Sequence, residues 1–360
     1  MKVAYVIPFD LGRTRGLTAR LRERLEEWVD LGVDVDLLVC VAKGSDCASS
    51  LADFPVRVHV LSGASSAAAT WGLAPRIRAL GSDVIYQRYG LPYPGLIRAA
   101  RALPTVLEIH ADDLAESAHR RPAYRWTALA LGGQLFRACA GAVFVDPDLV
   151  AAERYLPIAG PRASIPNGVR LRLDVPYGAP RDRKPGPPRL VLAVGAQEAW
   201  QGVDKLSQLA TLLPDLEFHL VGGTRQQAPG PPNLHIHTHL EPPAFDRFLE
   251  GMDVGVGNLA LERIGRRRPS PLKVRDYVRA GLPCVIAHDD PDLGAARDVL
   301  NLGYGFVPGP QSAAQLSRFA AEVTGRRVGA DVALAVSLAD KEVRRLQLLR
   351  SLAAEGALHA

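Results

Sequence analysis

The stretch from Asp253 to His288 restricts the fold more than any other. It reads DVGVGNLALERIGRRRPSPLKVRDYVRAGLPCVIAH. Apolar runs at Val254–Leu261 and Cys284–Ala287 have strand length, and one helix lies between them. The helix limits are written in the residues. Ser270 suits the N-cap, because its hydroxyl can accept a bond from a free N–H of the first turn. Pro271 suits the first helical position, where a missing N–H costs nothing. Gly281 suits the residue just past the end, and Pro283 blocks a restart. Leu272, Tyr277 and Val278 then form the buried face. The result is a strand–loop–helix–strand unit with a basic loop aimed at a helix N-terminus.

Such a helix start attracts anions, since its first N–H groups are unpaired and the helix dipole is positive there. Arg263, Arg266, Arg267, Arg268 and Lys273 add charge around the same end. Arginine offers forked contacts to phosphate, and lysine a point charge. Asp276 follows within the helix, within reach of sugar hydroxyls beside such phosphates. The set suits a nucleotide diphosphate sugar. It reads equally as a solvated basic loop before an ordinary surface helix.

The chain opens with an apolar strand at Val3–Ile7, a turn DLGRTRG holding Gly12 and Gly16, a helix to about Leu31 and a second strand at Val33–Val41. That βαβ opening predicts a doubly wound sheet with ligand loops after the strand carboxyl ends. The turn is not GxGxxG, so no dinucleotide fingerprint is read. Arg20, Arg22 and Arg24, set among acidic residues, read as a solvated helix face. Further strands are predicted at Val56–Leu61, Val84–Tyr86, Thr105–Ile109 and Ala142–Val145, with a loop at Ser62–Thr70. Arg88 and His110 each sit at or just past a strand end. Arg88 could bind an acceptor or steady a loop. Alternation puts Glu108 on the same face as His110. Asp146 and Asp148 read as caps of a helix from near Leu149.

Pro176–Pro188 has the composition of an interdomain linker. The second half restarts with the strand Arg189–Gly195, a loop AQEAWQG and a helix from Val203. Glu217–Val221 ends at Gly222-Gly223. Gln226–Asn233 is a proline-rich loop, and His235, His237 and His239 alternate along Leu234–Leu240. Three histidines facing one way make no metal site without convergence and second-shell support.

Composition sets the outer bounds. The 360 residues allow two domains, and 48% hydrophobic with 22% charged residues is ordinary for a globular chain. A net charge of +5 demands no polyanion, and no nucleic-acid motif is present. The four cysteines show neither ligand spacing nor a disulfide pattern. Trp126–Val145 is interrupted by Gln134 and Arg137, so it reads as core helix plus strand rather than a membrane span. A cytoplasmic protein is expected, with peripheral contact at the inner membrane face left open.

SPLKVRDYVRAGLPCV resembles the donor-site segment of retaining GT-B glycosyltransferases, the group that includes glycosyltransferase family 4. Asp276 occupies the second position of that group's Glu-x7-Glu pair, and Arg268 replaces the first. VLEIHAD, SIPNGV, the WQG loop, HLVGG and Gly303–Val307 resemble further segments of the group in the same order. In the loop after the first strand of the second domain, Ala196 and Gln201 stand where the group carries Arg and Lys, and Lys205 with the Arg263–Lys273 cluster is the expected substitute charge.

The resemblance implies an α/β GT-B fold of two Rossmann-like domains facing a cleft. Residues 1–175 would form the acceptor-side domain and 189–334 the nucleotide-sugar domain, with a last helix at about 335–360 packing back on the first. It implies transfer with retention to an acceptor hydroxyl or amine, with no metal and no cofactor. Gly195, Gln201, Gly222, Arg263, Ser270, Pro271, Leu272, Lys273 and Asp276 would bind the donor. His110 would contact the transferred sugar as the catalytic-site residue, and Gly16, Arg88 and Glu108 would line the acceptor side. The implied partners are a nucleotide sugar and a small-molecule, glycan or lipid-linked acceptor, with no nucleic acid. The two altered pairs leave a nucleotide-sugar epimerase, or a non-catalytic binding partner of a transferase, as alternatives.

Overall fold

Parallel strands buried on both faces are written as unbroken apolar runs, and such runs organise both halves of the chain. The computed structural model describes residues 1–11, 15–112, 114, 122–183, 185–195, 198–224, 230–294 and 296–358. Gly12, Ala196 and residues 226–229 of the proline-rich loop lie outside these. The chain divides into two units, Met1–Pro166 with Leu338–Ala360, and Asn167–Ser337.

In the first unit seven strands pair in parallel: β1 (Lys2–Ile7), β2 (Asp34–Ala42), β3 (Arg57–Gly63), β4 (Val84–Arg88), β5 (Thr105–Ile109), β6 (Gly141–Phe144) and β7 (Arg162–Ser164). Their spatial order is β3-β2-β1-β4-β5-β6-β7. Val3, Tyr5 and Val106 pack with the helix Arg15–Asp30 and with Leu346, Leu349 and Leu352 of the last helix, Leu338–Leu358. Ala4, Val6, Leu107 and Ile109 pack on the opposite face, against the helices Leu73–Leu80, Pro94–Ala100 and Pro122–Ala138. The strand order reverses between β1 and β4, so the loops after β1, β4 and β5 gather at a switch point, where doubly wound sheets bind ligands.

Six strands form the parallel sheet of the second unit: β8 (Arg189–Ala193), β9 (Glu217–Val221), β10 (Leu234–His237), β11 (Val254–Val256), β12 (Cys284–Ile286) and β13 (Val299–Asn301). Their order is β10-β9-β8-β11-β12-β13, with the reversal between β8 and β11. No helix among the described residues is long and apolar enough to cross a membrane.

Several sequence expectations change in detail. The strand expected over Val254–Leu261 stops at Val256, because the chain turns to give the Leu259 N–H to the Gln201 carbonyl at 3.2 Å. The expected loop at Ser62–Thr70 holds a short helix, Ser66–Ala69, capped by the Ser65 hydroxyl at 3.2 Å from Ala68 N. In place of a helix from Leu149 there are 3₁₀ turns at Pro147–Leu149 and Glu153–Tyr155. Asp146 does cap, accepting the Asp148 N–H at 3.0 Å.

The stretch 176–188 is no free linker but part of the second unit. Prolines deny it regular structure, yet its backbone finds partners: Gly178 N–H bonds the Val328 carbonyl and Arg181 N–H the Gly325 carbonyl, both at 2.8 Å. The Arg181 guanidinium meanwhile donates to the carbonyls of Leu249, Glu250 and Met252.

Candidate functional site

In the second unit the switch point lies between the loops that leave β8 and β11. From β8 the chain runs through exposed Gly195 to a 3₁₀ turn at Ala199–Gln201 and the helix Val203–Leu212. Gln201 is buried, and its side-chain oxygen accepts the Lys273 ammonium. Lys273 stands in the first turn of the helix Leu272–Arg279 and has no carboxylate partner among the described residues. Burial pushes its amine down to about 7.

That helix starts one residue later than its sequence suggests, with Pro271 in the capping position. The Ser270 hydroxyl accepts the Asn167 N–H at 2.9 Å, and the Ser270 carbonyl accepts Asn167 Nδ2 at 2.8 Å. The turn of the IPNGV segment therefore braces the helix start. Gly281 ends the helix with φ +78, as its position predicts.

The other basic groups near this end have partners. Arg263 grips Asp204 with contacts of 3.0 and 2.6 Å and donates to the Ala199 carbonyl at 2.7 Å. Arg267 pairs with Asp289 at 2.9 Å. Lys205, expected as the substitute charge, pairs with Glu262 at 2.6 Å and lies 4.8 Å from the centre of the Phe306 ring. Asp276 is partly buried, with Arg279 Nη2 at 3.8 Å. At the end of β9, Gly222 has φ +84, and a Cβ there would lie 2.2 Å from the Val194 carbonyl oxygen, so only glycine fits.

Sequence reasoning passed over three residues here. Arg275 is fully buried and binds the Asn167 carbonyl at 3.0 Å, Asp290 in a forked pair, and Asp292 at 2.6 Å. Its available signal was the acidic DDPD run after β12. Asn258, just past β11, has a buried Oδ1 without a hydrogen-bond partner. His288 is buried past β12, with Nε2 3.7 Å from Asp290. A buried polar atom left unpaired costs about 1–3 kcal/mol and marks a position to be explained.

The histidine run does not converge. His219 of β9 stacks on His235 and His237, with ring centroids 5.0 and 5.2 Å apart, while His239 lies beyond β10. Among the described residues no group of three or more His, Cys, Asp or Glu could hold a metal ion.

In the first unit, β5 delivers Glu108 and His110 to one side, as alternation requires. Glu108 has no exposed surface. It accepts Tyr5 Oη at 3.0 Å and Arg24 Nη1 at 2.5 Å, one on each oxygen. Arg24 also binds Glu342 at 3.1 Å, and Glu342 accepts Trp28 Nε1 at 2.8 Å and a contact from Arg345. Two expectations are thereby corrected. Arg24 faces the core instead of solvent, because the last helix supplies its counter-charge. Glu108 is an enclosed carboxylate behind His110 rather than an acceptor ligand. Burial would raise its pKa, but the guanidinium groups of Arg24 and Arg345 hold it well below the usual carboxylate range.

His110 Nε2 lies 2.8 Å from Arg88 Nη1 and 3.2 Å from Glu108 Oε2. Arginine can only donate, so the shorter contact puts the ring proton on Nδ1. Burial and Arg88 push the imidazole down to about 4, leaving it neutral near pH 7. Gly16 lies exposed in the first turn of the helix after β1, with open space around it.

Two Rossmann-like domains with parallel sheets of seven and six strands define the chain as GT-B in fold. Solved structures agree. A glycosyltransferase from Rickettsia africae matches with a TM-score of 0.63 at 11% identity, covering 98% of each chain. HepE from Anabaena, in complex with UDP and glucose, matches with 0.63 at 15%, covering 98% of this chain and 100% of its own. A UDP-GlcNAc 2-epimerase from Neisseria meningitidis, bound to UDP-GlcNAc, matches with 0.54 at 12%, covering 98% and 100%. At such identities the likeness establishes the fold. Compared by sequence, the chain matches no protein-family model and no curated protein.

Proposed function

We propose that the protein transfers a glycosyl group from a nucleotide-sugar donor to an acceptor hydroxyl or amine, with retention and without a metal ion. The observation that carries this reading is Lys273: a partly buried ammonium with no carboxylate partner among the described residues, in the first turn of a helix beside the β8–β11 switch point. A donor diphosphate would supply the missing counter-charge, and the helix N-terminus would stabilise the leaving group as the glycosidic bond breaks. Backbone at Leu272, with Ser270 and Pro271 behind it, belongs to the same anion site. Gln201 orients the amine, Asp276 binds ribose hydroxyls, and Gly195 and Gly222 let the backbone approach the nucleotide. Arg263, held by Asp204, braces the loop by donating to the Ala199 carbonyl, and its charge adds to the donor side. In the first domain His110 takes the transferred sugar, and Arg88 and Gly16 the acceptor side. Small-molecule, glycan and lipid-linked acceptors remain the candidate classes, and the cytoplasm is the proposed site of action.

An epimerase acting on a nucleotide sugar is the second reading, favoured by the HepE-like fold extending to the Neisseria 2-epimerase. A panel of UDP-, GDP-, TDP- and ADP-sugars separates the two, scored by thermal shift and by product analysis with and without acceptors. Stabilisation by one nucleotide class, with diphosphate release that rises on adding acceptor, supports the transferase. Conversion of the donor sugar to its epimer without acceptor supports the second reading. Stabilisation by no nucleotide removes the Lys273 site.

A further inference from the structure

We infer that one helical face of the first unit docks onto an anionic lipid bilayer. The face is built from the segments 66–80, Pro94–Ala100 and Pro122–Ala138, which cover a single side of the sheet through Leu73, Ile77, Leu96, Ile97, Leu135 and Phe136. The outward sides of these segments are unusual in two independent ways.

The first is charge. With Arg101, which ends the second helix, these segments carry Arg76, Arg78, Arg98, Arg101, Arg125 and Arg137, and no Asp or Glu. Arg76 contacts His59 at 2.8 Å, but the other five have no carboxylate partner among the described residues. By contrast Arg24, Arg57, Arg172, Arg189, Arg263, Arg267, Arg275, Arg279, Arg297 and Arg345 each pair with a carboxylate. With six arginines and no acid, the face is locally far more basic than the chain as a whole, whose formal net charge is +5.

The second is apolar exposure. Trp71, Trp126 and Leu129 leave 53%, 71% and 48% of their surfaces in solvent. Tryptophan beside arginine is the composition of a membrane interface, where an indole sits among head groups and guanidinium groups meet lipid phosphate. Between the helices lies a groove of about 340 Å³, its apolar walls formed by Trp71, Pro94, Ile97 and Leu131, with Arg98 and Arg101 also lining it. That pairing fits an acyl chain below a phosphodiester. The helix Arg15–Asp30 differs: its four arginines are matched by Glu23, Glu26, Glu27 and Asp30, and Arg24 is turned inward to Glu108 and Glu342.

Flotation of the full chain with vesicles tests the inference. Binding is expected to vesicles containing phosphatidylglycerol, not to pure phosphatidylcholine, and to fall as salt rises. Each arginine near such a surface is worth about fivefold in partitioning, so Arg98→Glu with Arg101→Glu should lower it at least ~25-fold. Trp126→Ala should weaken binding and remove a blue shift of fluorescence on vesicle addition. Thermal unfolding of these variants should match the parent, because all the altered side chains are exposed. No binding to anionic vesicles overturns the inference, as does unchanged binding by the Arg98/Arg101 variant. Equal affinity for soluble polyglutamate, indifferent to Trp126, overturns it in favour of an acidic protein partner.

Discussion

Lys273 donates to the side-chain oxygen of Gln201, tying the first turn of helix Leu272–Arg279 to the loop that leaves β8. A neutral amide can hold this ammonium but cannot neutralise it. At pH 8 an amine with a pKa of about 7 is mostly uncharged. A diphosphate would raise that value, so binding at pH 8 should take up roughly 0.5–1 proton. Calorimetry of UDP or GDP in buffers of different ionisation enthalpy reads this directly. Lys273→Met should abolish the uptake and weaken binding at least ~10-fold while the fold survives. Without ligand the sign is opposite in kind: the depressed value makes the protein gain stability as pH rises from about 7 toward the unfolded lysine value, and Lys273→Met should lose that slope.

Glu108→Gln should destabilise the first unit by about 3–5 kcal/mol, because Arg24 would lose the carboxylate that offsets its burial. Urea unfolding followed by Trp28 fluorescence measures it. The parent carries this carboxylate's contribution in full above the unfolded glutamate value and loses it as pH falls toward the lower folded value. The variant should show a flatter acid limb below pH ~4. Equal acid sensitivity in both proteins would falsify the assignment.

His110→Ala should reduce turnover by about 10²-fold if the imidazole contacts the transferred sugar. The ring is neutral throughout the working range, with its value pushed down to about 4. Profiles of kcat against pH for the parent and for His110→Asn should therefore share one shape between pH ~5.5 and ~8. An inflection near 6.5 in the parent that disappears in the variant would contradict this.

Gly222→Ala combines a left-handed backbone with a Cβ 2.2 Å from the Val194 carbonyl oxygen. A loss of about 1–3 kcal/mol in stability is expected, with weaker nucleotide binding as the β8 and β9 loops move apart. The urea midpoint and the nucleotide dissociation constant check the two effects separately. A variant as stable as the parent would show that the loop relaxes freely.

The strands were readable because a parallel strand covered on both faces needs apolar residues at every position, as Val3–Ile7 and Leu190–Leu192 show. The end of the helix at Gly281 was readable for a local reason: one residue must take φ +78. Charge was misread where its partner lies far along the chain. Arg24 resembles its solvated neighbours until Glu342 and Glu108 arrive from distant elements. Arg275 drew no reading at all, because Asp290 and Asp292 meet it only once the chain has passed through β12. Arg263, expected to bind the donor, also meets Asp204, a partner the sequence did not announce. Local rules govern caps, turns and alternation. Ion networks depend on contacts that a linear pattern does not contain.

The last helix gives the first unit a history as well as a shape. Residues 1–166 leave the ribosome before the whole of the second unit, yet Leu338–Leu358 is needed to cover Val106 and to meet the Arg24 guanidinium with Glu342. Throughout synthesis of residues 167–337 the nascent first sheet carries a bare apolar flank, and Arg24 waits for one of its two carboxylates. The packing predicts that the first unit completes its core only after the last helix is made. A fragment ending at residue 166 should bind chaperones and aggregate, while the same fragment joined through a flexible tether to residues 338–360 should stay in solution.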